Sequence, residues 1–469
     1  MSNVSRQIDE RDQWLFNAST NDLVGVKNPT GRGDDLLPVR LDSTGTSLVS
    51  GDRNYGFGSN IIGVSKIRKL LGAIGNAAYR RVNIGMQAHS IGVGVNSTET
   101  ATFDAATFTN YHTKSQAAII AKRLSAAVGG TACCASIVAG GISNLPNPLL
   151  TTGGSAPTPL QDGLFGVGAW NAVLSAPGHT LSFTAVGTSI RVYSVNSGAG
   201  SVIPGRWSAP SVSGGATQTA AAPSGGNTPD GARTFNNFTV GPVVPGETVS
   251  LIGPTSGSYR VHYIDLDYQP SAAGVSVHRL CVSGLSLPAI NAAALDSTDT
   301  QGPQSSSWIG SAAAKVNARL GQAQTVSVQV PQDGVILQTD VNDLNDWTAY
   351  GYTLADLSRH LTNYLTYKAS LGIPVLVILG PIRDPSYLPG TRPYDQADII
   401  AAYKTVIDAS SNAAYIDLTA EFSGSTLTAR YDAQTASALL YDIVHPGTMG
   451  HGYYGLMIAD ALLAAAANR

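Results

Sequence analysis

Three residues of the kinds that carry out nucleophilic catalysis stand where the chain can present them. Ser90 follows the largely apolar run 82–86 and is surrounded by small residues and glycine, so the sequence predicts a buried strand that ends at a presented serine. Far along the chain, Asp442 and His445 are separated by two residues. A serine nucleophile needs a base to take its proton, and that base needs a third group to hold its tautomer. Asp442 and His445 can meet both needs from one loop.

Each of these residues also has an ordinary structural interpretation. A serine after a strand commonly begins a turn or caps a helix. Asp442 can cap a turn, and His445, which precedes Pro446, can be a loop histidine with satisfied hydrogen bonds. Asn342 and Asp343 are residues typical of turns. The catalytic interpretation therefore depends on the elements that bring these residues together.

The predicted elements alternate between strand and helix on both sides of a different central region. A helical pattern over 61–76 precedes the serine strand, and an amphipathic helix over about 114–128 follows it. Further strands are predicted at 275–282, 334–338, 374–380 and 414–418, and further helices at about 353–371, 394–410 and 450–466. This alternation predicts a parallel sheet between helices, with functional residues at the carboxyl ends of the strands.

Gly284 and Asn342 also fall at predicted strand ends. When a serine attacks a carbonyl carbon, the carbonyl oxygen becomes negative and needs hydrogen-bond donors. The backbone amide of a strand-end glycine and the side-chain amide of an asparagine are suitable donors. The carboxyl edge of the sheet is therefore predicted to hold a nucleophile, a base, an acid and an oxyanion hole.

The composition divides the chain into four predicted parts. Residues 1–60 hold short β-like pieces with too little apolar periodicity for a core of their own. Residues 61–140 and 274–469 form the two parts of the α/β domain, and residues 141–273, rich in Gly, Ser, Pro and Thr, form an inserted β-sandwich. We expect the insertion to lie beside the strand ends. Its large aromatic residues are candidates for stacking on a sugar or for packing in the core: Trp170, Tyr193, Trp207 and Tyr263.

Composition narrows the partners and excludes several kinds of site. Charged residues make up 13% of the 469 residues and the formal net charge is −3, so no broad basic field predicts nucleic acid or an anionic membrane as a partner. A neutral partner such as a glycan fits better. The three cysteines do not form a disulfide framework, no cluster has the spacing of a metal site, and no cofactor is predicted. No apolar run reaches membrane-spanning length, and the polar N-terminus lacks a signal peptide, which predicts assembly in the cytoplasm.

Four short blocks of the chain resemble, in order, the blocks of the SGNH (GDSL-type) hydrolase family. They are Ala88-His89-Ser90, Ser283-Gly284, Asp340-Val341-Asn342-Asp343 and Asp442-Ile443-Val444-His445. The resemblance covers roughly residues 61–135 and 275–469. It implies a three-layer α/β/α, flavodoxin-like fold.

The resemblance also implies a role for each candidate residue. Ser90 would be the nucleophile, His445 the base and Asp442 the acid that orients the base. The Ser90 amide, the Gly284 amide and the Asn342 side chain would form the oxyanion hole.

Two of the four blocks depart from the usual pattern of that family. Ala88-His89 stands where Gly-Asp usually precedes the serine, and Asp340 stands where the third block usually begins with glycine. The segment 88–92 also fits the nucleophile elbow of α/β-hydrolases with alanine in its first place. That fold places several strands and an oxyanion loop, often containing His-Gly, before its elbow, yet no histidine precedes His89. Its acid and base usually come from separate loops, whereas here they share one, so the SGNH resemblance is favoured.

The resemblance implies a serine esterase that removes O-acyl groups, with O-acetyl favoured, through a Ser-His-Asp acyl-enzyme mechanism. SGNH relatives that carry an added β-sandwich are often carbohydrate esterases, so an acylated glycan such as a bacterial capsule or O-antigen is the expected substrate. The phrase at 23–29, followed by 36–39, is similar to the opening of bacteriophage tail and virion proteins. That likeness places the expected esterase on a virion tail, made in the host cytoplasm, with other tail proteins and a homo-oligomer as candidate partners.

A competing interpretation is a virion tail protein whose hydrolase fold has lost activity and only binds glycans on the host surface. The feature that keeps this interpretation open is His89, which stands where the family usually has an acidic residue. Hydrolysis of a simple ester distinguishes the two functions.

Overall fold

A computed structural model of the chain describes a series of blocks separated by gaps. The described residues are 14–16, 23–27, 36–37, 39–41, 48–50, 61–94, 97, 114–138, 151–153, 159–161, 170–196, 200, 202–221, 234–281, 286–288, 330–344, 351–386, 393–422 and 424–467. Within these blocks, no helix combines the length and the apolar character that crossing a membrane requires.

The N-terminal part contributes short strands only. They are β1 (Trp14–Phe16), β2 (Leu23–Lys27), β3 (Leu36–Leu37), β4 (Val39–Leu41) and β5 (Leu48–Ser50). The first three form one small antiparallel sheet, and β4 pairs with β5. The prediction of a small β-rich segment at this end is confirmed.

The α/β domain begins with a helix that leads into the strand before Ser90. A 3₁₀ turn (Val64–Ile67) runs into α1 (Arg68–Gly75), followed by β6 (Arg81–Ala88), α2 (Ser90–Val93) and α3 (Gln116–Ala127). The buried face of α1 holds Leu70, Leu71, Ala73 and Ile74, as the helical pattern predicts.

The central region consists of strands. They are β7 (Ser136–Val138), β8 (Thr151–Gly153), β9 (Pro159–Gln161), β10 (Trp170–Leu174), β11 (Thr180–Thr184), β12 (Ile190–Asn196), β13 (Arg206–Ser208), β14 (Gln218–Thr219), β15 (Thr234–Val240), β16 (Thr248–Ile252) and β17 (Tyr259–Asp265). One antiparallel sheet has the order β15-β12-β17-β10-β9 with β7 beside β17, and the other has the order β14-β13-β16-β11-β8.

Strand and helix alternate again after the sandwich. The elements are β18 (Gly274–Arg279), β19 (Gly334–Gln338), α4 (Leu354–Ser370), β20 (Val375–Leu379), α5 (Gln396–Ala409), β21 (Ala413–Asp417), α6 (Leu427–Ala436) and α7 (Thr448–Ala467). Thr353 and Asp395 begin α4 and α5 with complete capping boxes, which satisfy the first backbone N–H groups of each helix.

The central sheet of the α/β domain is parallel, with the order β18-β6-β19-β20-β21. Numbered by their sequence within this sheet, the strands run 2-1-3-4-5, which is the flavodoxin-like order. In that order β6 and β19 flank the point at which the chain reverses direction across the sheet. Ligand sites in such sheets form outside the carboxyl ends of the strands at this point.

Side chains on the two faces of this sheet enter two separate cores. In β19, Ile336 packs with α1, α3 and α7, whereas Val335 and Leu337 pack with α4 and α5. The sheet is therefore covered by helices on both faces, which explains why β19 and β20 are buried at every residue. The predicted fold class, a three-layer α/β/α domain that carries a β-sandwich, is confirmed.

The sandwich has its own core between its two sheets. Leu181 and Leu251 come from one sheet and Val192 and Ile264 from the other, and all four are buried in a single cluster. Three of the aromatic candidates for sugar stacking are interior residues instead, since Tyr193, Trp207 and Tyr263 are 2%, 5% and 0% exposed. The side chain of the fourth, Trp170, lies outside the described residues.

Buried polar contacts join the sandwich to the edge strand β18. The Tyr263 hydroxyl lies 3.2 Å from His278 Nδ1, and His278 Nε2 lies 3.0 Å from Asn83 Oδ1 on β6. The Arg279 guanidinium donates to the Ser136 carbonyl at 2.9 Å. Because β7 begins at Ser136 and pairs with β17, the chain enters the sandwich a few residues before the predicted boundary at 140. Specific polar contacts therefore join the sandwich to the edge strand of the parallel sheet.

Among the described residues, the cores of the sandwich and the α/β domain share no side chain, which predicts two unfolding units. Leu251→Ala in the sandwich and Leu376→Ala in the parallel sheet each truncate a fully buried side chain. Each should lower the free energy of unfolding by about 2–5 kcal/mol. Hydrogen exchange in urea, followed by mass spectrometry, measures this. In Leu251→Ala, peptides from the sandwich should exchange faster than in the native protein, while peptides from β19 and β20 should stay protected. Equal loosening of both regions would show that the cores unfold as one.

Candidate active site

Ser90 is the first residue of a short helix that begins directly after a buried strand. β6 ends at Ala88, and packing on both faces fixes the position of that end. His89 is extended and caps the helix, because its Nδ1 accepts a hydrogen bond from the Ile91 N–H at 3.3 Å. The abrupt change from strand to helix sets Ser90 at the carboxyl edge of the sheet.

Gly92 allows this turn to lie close to the sheet. A Cβ at position 92 would lie 2.4 Å from Ala88 Cβ and 2.7 Å from Cys281 Sγ. Only glycine leaves room for the backbone of α2 to approach the ends of β6 and β18 so closely. The turn that carries Ser90 therefore packs directly against the ends of β6 and β18.

The structure brings Ser90, His445 and Asp442 together, although 355 positions separate the serine from the histidine. Ser90 Oγ lies 2.8 Å from His445 Nε2, and His445 Nδ1 lies 2.8 Å from Asp442 Oδ2. Because an ionised carboxylate only accepts hydrogen bonds, Nδ1 carries the ring proton and donates to Asp442. Nε2 is then the acceptor for the serine hydroxyl. This arrangement can take the proton from Ser90 as the oxygen attacks an electrophile.

The two carboxylate oxygens of Asp442 have separate partners. Oδ1 accepts the N–H groups of Val444 at 2.8 Å and of His445 at 2.7 Å, while Oδ2 accepts the histidine ring. Partial burial opposes ionisation, but these hydrogen bonds from His445 and Val444 outweigh it and lower the pKa of Asp442 to about 2. The carboxylate is therefore charged throughout the neutral range, and its charge favours an imidazolium on His445.

The loop that carries Asp442 and His445 is fastened on two sides. The Tyr441 N–H donates to the His445 carbonyl at 2.8 Å, which closes the loop on itself. The Asp384 N–H, in the segment after β20, donates to the Ile443 carbonyl at 2.9 Å. The segment after β20 thus helps to fix the position of the base relative to Ser90.

Asn342 lies on the helical turn that follows β19, the strand next to β6. Ser90 and Asn342 therefore follow the two strands that flank the point where sites form in this strand order. Between residues 334 and 344, Asn342 is the one residue that is not buried. Gly284, the remaining predicted oxyanion-hole residue, lies outside the described residues.

Two aspartates of the Asn342 turn are buried. Asp343 Oδ1 accepts the Leu287 N–H at 2.6 Å and its Oδ2 accepts the Tyr403 hydroxyl at 2.7 Å, while Asp340 Oδ2 accepts the Gln396 side-chain amide at 2.9 Å. Burial raises the pKa of Asp340 to about 7 and that of Asp343 to about 6. Asp343 thus lies in a turn, as its residue type predicts, and its side chain is in addition buried and bonded to two other segments.

His89, directly before the nucleophile, is fully buried and neutral. Its Nδ1 accepts a hydrogen bond, so its Nε2 carries the proton, and Nε2 has no hydrogen-bond partner among the described residues. Burial, with smaller contributions from the nearby His445 and Arg383 side chains, lowers the pKa of His89 to about 3. An uncharged residue thus precedes Ser90, at a position where the SGNH family that the sequence resembles usually has a carboxylate.

In the described part of the chain, no group of three or more His, Cys, Asp or Glu residues is arranged to hold a metal ion. Cys133, Cys134 and Cys281 are unpaired and buried. Burial raises the pKa of the Cys281 thiol, which lies close to Gly92 of α2, to about 12. A thiol at that pKa is not ionised at neutral pH, so Ser90 is the candidate nucleophile of this edge.

The burial of Asp340 and Asp343 was missed by the sequence analysis. A buried carboxylate is recognised by its partners, and the partners here come from segments that are distant in the sequence. One signal was present. Both residues follow a strand of apolar residues almost directly, where a charged side chain needs hydrogen-bond donors.

Neither a protein-family model nor a curated relative matches the sequence. Among solved structures, a peptidoglycan O-acetylesterase aligns with 87% of this chain and 98% of its own, at 14% identity and a TM-score of 0.55. Family two carbohydrate esterases from Clostridium thermocellum and Cellvibrio japonicus align with 66% and 71% of this chain and with 97% and 98% of their own. Both are 11% identical, with TM-scores of 0.26 and 0.22.

The likeness to the peptidoglycan O-acetylesterase shows a shared fold. Both chains have a mixed α/β fold, which in this chain consists of a five-stranded parallel sheet and additional antiparallel sheets.

His89→Asp should move the acid limb of the pH–rate profile to higher pH. A carboxylate beside Ser90 favours the protonated form of His445, so on acidification the base is lost earlier, by about one pH unit. His89→Asn is neutral and can also cap α2, so it should leave the limb in place. Values of kcat/KM for p-nitrophenyl acetate across about pH 4–9 measure the shift. An acid limb that is the same in all three proteins would show that the charge at position 89 does not act on the base.

Proposed function

We propose that this chain is a serine esterase that removes O-acyl groups, O-acetyl above all, from a carbohydrate. The observation that carries the proposal is the pair of hydrogen bonds from Ser90 to His445 and from His445 to Asp442, each 2.8 Å long. A serine, a correctly oriented histidine and an ionised aspartate form the arrangement that generates a serine nucleophile. Ser90 follows β6 and Asn342 follows the neighbouring strand β19, which supports a nucleophile and an oxyanion donor at the same edge of the sheet.

In the first half of the proposed reaction, Ser90 Oγ attacks the carbonyl carbon of the acyl group while the serine proton passes to His445 Nε2. The carbonyl electron pair moves to oxygen, and the oxyanion accepts hydrogen bonds from the Ser90 N–H, the Asn342 side chain and the Gly284 N–H. When the carbonyl re-forms, the sugar oxygen leaves with the proton from His445. The acyl group remains on Ser90.

In the second half, water attacks the acyl-enzyme. His445 takes a proton from the water and returns it to Ser90 Oγ as the carboxylic acid leaves. Asp442, with its pKa lowered to about 2, remains ionised and stabilises the imidazolium in both halves. The cycle uses one water and one ester, and it yields one alcohol and one acid.

The proposed substrates are O-acetylated bacterial surface polysaccharides, capsule and O-antigen among them. The chain has low charge, which favours a neutral partner, and its fold is shared with a protein described as a peptidoglycan O-acetylesterase. Peptidoglycan is therefore the polymer to compare with capsule and O-antigen preparations. We also propose a place on a phage tail, supported by the short phrase at 23–29; detection of the chain in purified virions tests it.

Ser90→Ala should abolish release of acetate while leaving the fold intact, because no other group replaces the nucleophile's oxygen. The expected loss in kcat is about 10⁴-fold or more. Ser182→Ala is the matched control, since that half-buried hydroxyl contacts the Ser250 hydroxyl of the neighbouring sandwich strand at 2.7 Å. Rates on p-nitrophenyl acetate and acetate release from acetylated polysaccharides measure both variants. The glycan-binding function would be supported instead if the native protein hydrolysed every ester no faster than Ser90→Ala and still bound an acetylated polysaccharide.

Asn342→Ala should lower kcat much more than it raises KM, since an oxyanion donor acts mainly when charge develops on the carbonyl oxygen. The expected loss is about 10²–10³-fold. Asn76→Ala is the control, because Asn76 is exposed and its side chain donates to Gly72 at the end of α1. Steady-state kinetics on p-nitrophenyl acetate separate kcat from KM. A rise in KM without a fall in kcat would assign Asn342 to substrate binding.

A further inference from the structure

Asp343 connects three separate pieces of the chain through one buried carboxylate. Oδ1 accepts the Leu287 N–H at 2.6 Å, and Oδ2 accepts the Tyr403 hydroxyl on α5 at 2.7 Å. The Asp343 side chain is 0% exposed, and Leu287 and Tyr403 are 0% and 1% exposed. Such hydrogen bonds to a carboxylate are stronger than those between neutral groups and are not shared with water.

The first of these pieces belongs to the second of the four blocks. Leu287 follows Gly284 by three positions in the sequence. Asp343 itself directly follows Asn342. The carboxylate therefore ties the segment after one proposed oxyanion donor to the turn that carries the other.

The turn itself is rigid and presents a single residue. The N–H groups of Asn342 and Asp343 both donate to the Thr339 carbonyl, at 2.9 and 3.0 Å. Asp340, at the start of the turn, accepts the Gly380 N–H at 3.0 Å and the Gln396 amide at 2.9 Å. Buried carboxylates thus hold the turn on both sides of Asn342, which alone is not buried.

We propose that Asp343 is the positioning residue of the oxyanion hole, fixing the Asn342 side chain relative to the segment that follows Gly284. This inference rests on the proposed function. Asp343 acts through Asn342 and does not itself touch the substrate. Burial raises its pKa to about 6, and the donors Leu287 and Tyr403 oppose that rise, so the carboxylate is available as a double acceptor at neutral pH.

A double-mutant cycle tests this role. Asp343→Ala should lower kcat about 10²-fold, as expected for a catalytic group displaced by about 1 Å, with KM nearly unchanged. In the Asn342→Ala background the same substitution should cost less than about threefold, because residues that act as a unit are not additive. Asp343→Asn keeps an acceptor for Leu287 and a group that bonds the Tyr403 oxygen, so it should restore most of kcat.

A purely structural role gives different results. Asp417 is the matched control: its carboxylate accepts the Thr419 N–H at 2.9 Å and pairs with Lys404 at the end of the outermost strand, β21. Asp417→Ala should lower the melting temperature without changing kcat, and its effects should add to those of Asn342→Ala. Additive losses in kcat for Asp343→Ala and Asn342→Ala would overturn the proposal.

Two further measurements keep the test decisive. If Asp343→Ala does not fold, Asp343→Ser, which retains one acceptor oxygen, replaces it in the same cycle. If the native protein hydrolyses no ester, the proposed function is refuted, but the role of Asp343 can still be tested. The rate at which a fluorophosphonate labels Ser90 then replaces kcat as the measured quantity. Phosphonylation of Ser90 depends on the same oxyanion-hole donors as ester hydrolysis. Labelling that is equally fast in native, Asp343→Ala and Asn342→Ala proteins would refute the role of Asp343.

Discussion

The Asp442 carboxylate is the group on which the rest of the site depends. One oxygen accepts two backbone N–H groups of its own loop, and the other accepts the His445 ring. A carboxylate that held only the ring could swing with the loop, whereas this one makes the loop and the ring a single unit. Hydrogen bonds to an ionised acceptor are stronger than those between neutral groups. The charge of Asp442 therefore fixes both the conformation of the loop and the tautomer of His445.

The loop with Asp442 and His445 can act as a base only because the sheet places it within hydrogen-bond distance of Ser90. The order 2-1-3-4-5 puts the serine strand second from the edge and the Asn342 strand beside it. The segment after β20 then holds the histidine loop through the backbone bond from Asp384 to Ile443. Residues from three distant parts of the sequence therefore meet at one edge, and the core on each face of the sheet supplies the stability that fixes them there.

The sequence predicted the fold class and the residues that the structure brings together, because both depend on patterns that a sequence displays. Alternating strands and helices imply a parallel sheet, and the Asp442–His445 spacing permits contact within one loop. Burial depends on tertiary contacts, which the sequence does not display. The type of Asp343 predicts its turn but not its burial, because its donors, Leu287 and Tyr403, are 56 and 60 positions away in the sequence. Tyr263 was a candidate for sugar stacking, yet it packs against β18.

Asp442 is the ionised carboxylate that contacts the base, and the residue next to Ser90 is uncharged. His89 is neutral where a carboxylate is usual in the resembling family, and burial raises the pKa of Asp340 to about 7. Asp442 has a side chain that is 38% exposed, and it keeps its charge because water and three hydrogen-bond donors share it. A carboxylate at position 89 would place a second negative charge next to the nucleophile and would oppose the oxyanion that forms on the substrate. Asp343 is ionised at neutral pH, but the Leu287 and Tyr403 donors hold its charge behind Asn342, and Asp442 is the ionised carboxylate that contacts the base.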